Sequence, residues 1–255
     1  MMQSYTCYTK LCRSGMGQGG MLDSCSLTSP VPQTLRGKLE VIGVDPMLIT
    51  WIHNYLTERP QYVRVGGNIS ETVVTNIGDP QGTVLSPFLF TLYTADFTYK
   101  SESCHIQKYS DDTAVVACVK GEDEMEYRDL IAAFTVWSER NGLVLNTSKT
   151  KEMIVDFRRP KLPPHHPVVI AGESTEVVQS YKYLGVHLDN KLNRSAHTTA
   201  AYKTGQSRLF FLRKLKSFDV CNESLHTFYH SVVASAVCFG VVCWGNSITV
   251  TGLIN

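Results

Sequence analysis

The sequence lacks the residue spacings of several common structural sites. Its eight cysteines include no Cys-x-x-Cys pair and no His–Cys spacing of the kind that holds structural zinc. We therefore expect reduced thiols in an intracellular protein, not a disulfide framework. The N-terminus also lacks the charged start and apolar run of a signal peptide. The nucleus or the cytoplasm is the expected location.

Long apolar runs and a strong net charge are missing as well. The apolar run from Val232 to Trp244 is too short to span a bilayer and is interrupted by Ser235 and Gly240. We expect a buried core segment there and no membrane partner. Because the net charge is only +1, no global field draws the protein to nucleic acid. Any such binding must come from a local basic patch.

Two adjacent acids, Asp111 and Asp112, are the most informative feature that is present. Apolar and β-branched residues flank them between Ile106 and Ala117, a pattern that predicts two short strands joined by a tight turn. Neighbouring carboxylates repel each other unless a cation joins them, and Mg²⁺ suits oxygen ligands near phosphate. Taken alone, the pair is more typical of a solvated hairpin turn.

Four ordered segments resemble motifs of reverse transcriptases. Tyr109-Ser110-Asp111-Asp112 resembles the aromatic-x-Asp-Asp signature, and Gly78–Pro87 resembles the Pro-Gln-Gly motif that precedes it. Gly142–Lys151 and Tyr181–Val186 are similar to the two motifs that follow. The residues of these motifs most resemble those of the polymerases of non-LTR, LINE-type retrotransposons. The similarity extends over about residues 31–246.

The resemblance implies an α+β fold. It places a partial reverse transcriptase palm, an antiparallel sheet packed on helices, at residues 31–190, a helical thumb at 191–246 and a tail at 247–255. Residues 1–30, rich in Gly, Ser and Thr, are expected to be loosely ordered. The implied reaction adds dNTPs to the 3′ end of a DNA primer on an RNA template, with two Mg²⁺ ions. The oligomeric state stays open.

The resemblance also assigns the metal ligands. Asp111 matches the metal ligand of the signature and Asp112 its supporting position. The motif that supplies the family's first catalytic aspartate is missing, and Asp23, about one residue out of register, is the only acidic candidate. The finger motifs are missing too. A two-metal centre short of one carboxylate should bind the catalytic ion poorly, so we expect weak or absent polymerase activity, or a remnant that only binds nucleic acid.

Further residues are assigned to the substrates. Pro80, Gln81 and Gly82 would form the floor that receives the template base and the incoming nucleotide, next to Tyr109. Lys149 matches a lysine that protonates or neutralises the leaving pyrophosphate. A solvated surface lysine is the alternative for Lys149.

A basic helix is expected near the C-terminus. Its cations alternate with leucines and phenylalanines, as in helices that follow a phosphate backbone; they are Lys203, Arg208, Arg213, Lys214 and Lys216. A core-packing helix with a solvated basic face explains the same pattern.

A third interpretation starts from His187-Leu188-Asp189. With His197, His226 or His230 it resembles the two-His-one-carboxylate triad of iron oxygenases. The C-terminal stretch is also similar to a segment of AlkB-like tRNA-modifying enzymes. Such a triad needs a surrounding β-barrel, whereas the residues after Asp189 have a helical pattern.

Local signals predict most of the remaining elements. Asp45 should cap a helix that begins at Pro46, and Gly142 should end the helix before it. The predicted helices are two within Leu35–Leu56, then Thr83–Phe97, Met125–Asn141, Ala196–Phe218 and Ser224–Ala236; the strands are Tyr62–Val65, Thr72–Thr75, Lys151–Phe157, Val168–Ile170 and Tyr181–Leu188.

Overall fold

A computed structural model describes residues 31–76, 78, 83–119, 123–156 and 166–245, together with the backbone of residues 6–13. The chain divides into two compact units, Met1–Val177 and Val178–Asn255. The sequence placed this division at residue 190. The structure instead groups the strands after Val177 with the helices that follow them. Helices and small, mainly antiparallel sheets are mixed, as the α+β prediction requires.

The first unit is built around a five-stranded sheet. Its strand order is β11-β8-β1-β7-β6, and only the β11–β8 pair is parallel. The strands of this unit are β1 (Thr6–Arg13), β2 (Arg59–Gln61), β3 (Arg64–Val65), β4 (Asn68–Ile69), β5 (Val73–Thr75), β6 (Cys104–Tyr109), β7 (Asp112–Val119), β8 (Lys151–Asp156), β9 (Val169–Ile170), β10 (Glu173–Ser174) and β11 (Glu176–Val177).

Strand β1 corrects the expectation of a loosely ordered N-terminus. Thr6–Arg13 occupies the centre of the sheet and pairs with β7 on one side and β8 on the other. Thr and Tyr in this stretch suit an extended backbone, and pairing on both edges satisfies its amides and carbonyls. The Gly- and Ser-rich composition of residues 1–30 hid this short strand. The rest of that segment lies outside the described residues.

Among the residues that the structure describes in this unit, four helices accompany the sheet: α1 (Pro32–Ile42), α2 (Pro46–Leu56), α3 (Leu85–Tyr93) and α4 (Met125–Arg140). The predicted start of α2 is confirmed, because the Asp45 carboxylate accepts the Met47 amide at 2.8 Å and Pro46 begins the helix. The predicted end of α4 is also confirmed: Gly142 has a φ of 66° and its amide bonds the Glu139 carbonyl at 3.0 Å.

The predicted hairpin at residues 62–75 is present in two short ladders. Its turn at Gly66–Gly67 joins β3 to β4, while β2 pairs with β5 and starts earlier than expected. Two buried clusters form the core of the first unit. One lies between the sheet and α4, around Val115, Leu130 and Ile131; the other joins α1, α2 and α3 around Leu39, Ile52 and Leu89.

The second unit is a hairpin followed by helices. Its strands are β12 (Ser180–Tyr183) and β13 (Val186–Asp189), and its helices are α5 (Ser195–Ser217), α6 (Asn222–Phe228), a π-helix (Tyr229–Ala234), α7 (Ser235–Val237) and α8 (Val241–Trp244). The single strand predicted at 181–188 is therefore bent, with Leu184 and Gly185 at the turn. Within the described ranges, no helix combines the length and the apolar character needed to cross a membrane.

Candidate active site and nucleic-acid interface

The aspartates lie where the sequence placed them, at a tight turn between two paired strands. Tyr109 at the end of β6 pairs with Asp112 at the start of β7, so that Ser110 and Asp111 form the turn. Ser110 has a φ of 52°, a conformation that an L-residue other than glycine rarely adopts. Such strain persists only where the surrounding structure enforces it, as it commonly does at functional turns.

Both carboxylates are half-buried, while the Tyr109 ring is 62% exposed. Asp111 lines a small cavity of about 20 Å³ together with Lys108, Ser110 and Thr113. Its other walls include Leu143–Leu145, which belong to the segment that resembles the fourth motif. The structure thus brings two of the four motif segments to one site.

Lys108 is a neighbour of the aspartate turn that the sequence analysis missed. Its ammonium group donates to the carbonyls of Thr94, at 2.6 Å, and Phe97, at 3.3 Å, just beyond the end of α3. Burial lowers the pKa of Lys108; nearby Asp96 opposes that change and nearby Lys38 adds to it.

Lys38 binds the same helix end from α1. Its ammonium group donates to the Tyr93 carbonyl at 2.6 Å and to the Asp96 carboxylate at 2.8 Å. The two lysines satisfy the carbonyls that a longer helix would have used. These contacts stabilise the end of α3 at Tyr93, four residues before the predicted end at Phe97. Contacts across such sequence distances leave no local signal.

The strand beside the aspartates does not supply a third acid. Position 13 of β1 stands in register opposite Asp112, and the residue there is an arginine. Asp23, the candidate for the missing ligand, lies outside the described residues. Among the side chains that the structure describes, no three His, Cys, Asp or Glu residues are grouped so as to hold a metal. Two adjacent carboxylates suit one hard cation such as Mg²⁺, whereas a two-metal centre needs a further ligand.

The residues assigned to the substrates are only partly described. Pro80, Gln81 and Gly82 lie outside the described residues. Lys149 is half-buried, and its amide bonds the Asn146 side chain at 3.0 Å. Lys149 is not among the residues that line the Asp111 cavity.

A buried carboxylate in β8 also escaped the sequence analysis. Glu152 is fully buried and accepts the Tyr127 hydroxyl at 2.7 Å, the Val168 amide at 3.2 Å and the Thr175 hydroxyl at 3.2 Å. These bonds connect β8 to α4 and to the β9–β10 region. Glu152 therefore organises the sheet and does not belong to the aspartate site.

Most of the predicted basic residues of α5 are available to a ligand. Lys203, Arg213, Lys214 and Lys216 are exposed. Arg208 instead donates to the Val232 carbonyl at 2.6 Å and ties α5 to the π-helix. Phe210 and Phe211 are 60% and 53% exposed, which is unusual for residues expected to pack in a core.

The residues of the iron-type triad are not assembled. The Asp189 carboxylate accepts the amides of Lys191 and Asn193, at 2.9 and 2.7 Å, and so closes a loop. The rings of His187 and His197 are 6.2 Å apart, and the only described bond between these residues is from the His187 amide to the His197 ring. The described part of the second unit is a hairpin with helices and contains no barrel.

Comparison with known proteins identifies the family of the chain. The family model for reverse transcriptase (RNA-dependent DNA polymerase) matches residues 30–188, and the chain belongs to that family. A second model, the N-terminal part of alkylated DNA repair protein alkB homolog 8, matches residues 194–235.

The chain is similar to polymerases of mobile elements. It is 30% identical to the RNA-directed DNA polymerase from mobile element jockey of Drosophila melanogaster, over 78% of this chain and 23% of that protein. It is 28% identical to the probable RNA-directed DNA polymerase from transposon X-element of the same species, over 76% of this chain and 22% of the relative. The resemblance seen in the four motifs is confirmed. The chain spans about a quarter of the length of these relatives.

Proposed function

We propose that this chain is the palm and thumb portion of a retrotransposon reverse transcriptase whose metal centre is incomplete. Its substrates would be an RNA template, a DNA primer and dNTPs. The observation that carries the proposal is the β6–β7 turn, which exposes Tyr109 and holds Asp111 at a cavity beside the Leu143–Leu145 segment.

Each residue at the turn has a defined task in this proposal. Asp111, supported by Asp112, would hold Mg²⁺, which when bound neutralises the triphosphate and activates the primer hydroxyl. The exposed Tyr109 ring contacts the nucleotide, and the sheet fixes the turn so that little reorganisation is needed on binding. Lys149 neutralises the leaving pyrophosphate.

The proposed weakness of the activity follows from β1. In the register of the sheet Arg13 is paired with Asp112, and none of residues 6–13 is an acid that could complete the ligand set. Two carboxylates bind one ion, and a two-metal displacement then lacks the bridging ligand that sets the spacing of the ions.

Primer extension tests the polymerase assignment. Wild-type protein, Asp111→Asn and the exposed control Asp129→Asn are compared on a primed RNA template with Mg²⁺ or Mn²⁺. We expect incorporation by the wild type to stay close to the Asp111→Asn background. Strong incorporation that Asp111→Asn abolishes would confirm the site and refute the loss of activity. Strong incorporation that survives Asp111→Asn would refute the site.

Metal binding by a variant at residue 13 tests whether the site lacks a carboxylate ligand. Arg13→Asp adds a carboxylate at the position opposite Asp112, and directly opposite positions share a face of the sheet. We expect tighter Mn²⁺ binding in Arg13→Asp than in the wild type, and none of this gain when Asp111→Asn is added. Arg13→Gln, which removes the same positive charge without adding an acid, is the matched control.

A separate nucleic-acid-binding function is favoured by the surface of α5. Lys203, Phe210 and Lys214 recur at spacings that place them on one helix face, and all three are exposed. Lysines neutralise phosphates while the exposed ring stacks on a base. This function needs no metal and would persist in a protein without polymerase activity.

Salt-dependent binding tests this function. Affinity of the wild type for a labelled primed template is measured by anisotropy at several salt concentrations. Lys203→Gln and Lys214→Gln should each lower the slope of log K against log salt by about 1, as expected for one lost phosphate contact. Lys191→Gln, an exposed lysine on a loop, should leave the slope unchanged. Equal slopes in all variants would refute a role for α5.

A further inference from the structure

Two histidines in the second unit are arranged like ligands of one metal ion. His226 in α6 and His230 in the π-helix are four residues apart, and both are exposed. Their Nε2 atoms are 3.2 Å apart and their ring centroids 4.4 Å apart. The two nitrogens that project furthest from the backbone therefore point to the same place in solvent.

The separation of the nitrogens matches a shared ion. Imidazole nitrogen binds Zn²⁺ at about 2.0–2.1 Å, so two such ligands at a tetrahedral angle have nitrogens roughly 3.3–3.4 Å apart. At a right angle the same bond lengths give about 2.9 Å. The observed 3.2 Å lies between these values, so the distance between the two nitrogens is compatible with one shared ion.

The two histidines lie on either side of the point where α6 continues into a π-helix. Helix α6 ends at Phe228, and the chain continues directly into a π-helix at Tyr229. Single π-helical segments are rare and occur frequently at functional sites. The Tyr229 ring meets the His230 ring edge-on, with centroids 5.2 Å apart, and restricts its orientation.

We propose that His226 and His230 form a two-ligand site for a divalent transition metal, namely Zn²⁺, Ni²⁺ or Cu²⁺. Metal binding selects the tautomer with the proton on Nδ1 in both rings, which leaves both Nε2 lone pairs for the ion. No described group of three ligating side chains includes them. The remaining coordination positions are therefore open to water or to a ligand from another molecule.

This site differs in chemistry from the aspartate turn. Imidazole selects Zn²⁺, Ni²⁺ and Cu²⁺, whereas carboxylate oxygens select Mg²⁺. The two proposals can therefore fail separately, because excess Mg²⁺ saturates an oxygen site and leaves the imidazole pair accessible.

Calorimetric titration with Ni²⁺ and Zn²⁺ in excess Mg²⁺ tests the site. The wild type should bind one equivalent. His226→Ala and His230→Ala should each weaken binding at least roughly tenfold, because loss of a residue that only supports a metal ligand already costs about that much. A double variant, His226→Ala with Asn222→His, keeps the number of exposed histidines but separates them by eight residues. It should behave like His226→Ala.

Two controls separate this pair from other ligands. His105→Ala removes an isolated exposed histidine of β6, and Cys221→Ser removes an exposed thiol near the start of α6. Both should bind as the wild type does. The proposal is overturned if the wild type binds no tighter than His226→Ala, if the relocated pair binds as well as the native one, or if either control loses the metal.

Discussion

Two hairpins of this protein, β6–β7 and β12–β13, turn in the same number of residues but are stabilised differently. The β6–β7 hairpin turns at Ser110 and Asp111 and is part of the five-stranded sheet, where Val115 and Ala117 are fully buried. The β12–β13 hairpin turns at Leu184 and Gly185 and forms a sheet by itself, with no residue of either strand fully buried.

The difference shows which part of the protein stabilises each turn. In the first hairpin the sheet fixes the strands, so the turn can hold adjacent acids and a serine at positive φ. In the second hairpin both turn residues have positive φ, at 44° and 87°, and the turn packs directly on Phe239. We infer that the aspartate hairpin depends on distant residues of the sheet, whereas the second hairpin depends on its own turn.

The strongest test of this comparison is Glu152→Ala. Removing the fully buried carboxylate leaves the Tyr127 hydroxyl and the Val168 amide without this acceptor. We expect a loss of about 3–5 kcal/mol in the free energy of unfolding, although the aspartate turn is untouched. Guanidinium unfolding measures the change.

Glu176→Ala is the matched control for Glu152→Ala. Glu176 is exposed and pairs with Lys151 at 2.6 Å on the same sheet, so its removal should change stability by less than about 1 kcal/mol. Comparable losses in the two variants would show that the Glu152 network does not hold the sheet.

Gly185→Ala examines the other hairpin. A Cβ at residue 185 would lie 2.7 Å from Cε1 of Phe239, and φ there is 87°. Backbone strain and overpacking together should cost about 2–3 kcal/mol. Gly172→Ala has a similar φ of 82° but no atom within 4 Å of the new Cβ, so it should cost only the backbone part, about 1–2 kcal/mol. Equal losses would mean that the contact with Phe239 does not fix this turn.

Substitution of Ser110 should have the smallest effect. Glycine removes the strain at φ 52° but makes the unfolded chain more flexible, so Ser110→Gly should change stability by less than about 1 kcal/mol. Ser110→Val should destabilise the protein by about 1–2 kcal/mol, because a branched side chain resists positive φ.

The same change in an ordinary strand provides the reference for Ser110→Val. Ser174 lies in β10, is exposed and has no positive φ, so Ser174→Val should be neutral or mildly stabilising. Thermal unfolding of the variants ranks them. A Ser110→Val protein as stable as the wild type would contradict strain at the aspartate turn.

The parts of the fold that were predicted correctly are those with local signals. Asp45 and Pro46 start α2 through contacts within three residues, and Gly142 ends α4 in the same way. The β6–β7 turn was found because its flanking residues and its acids lie within one short segment.

The features that were missed depend on contacts between distant residues. The Lys38–Tyr93 bond spans 55 positions, and Glu152 bonds the side chains of Tyr127 and Thr175, which are 25 and 23 positions away. Strand β1 was missed because its partners, β7 and β8, lie about a hundred positions or more further along the chain. Nothing near these residues in the sequence specifies their partners.

The position of Lys108 has a consequence for any cation that approaches Asp111. Its ammonium group is held by two carbonyls beyond α3, and the side chain lines the same cavity as the aspartate. The resident positive charge offsets part of the negative potential of the acid pair before any ion arrives. A divalent ion is therefore attracted to this turn less strongly than to two adjacent acids without a neighbouring cation.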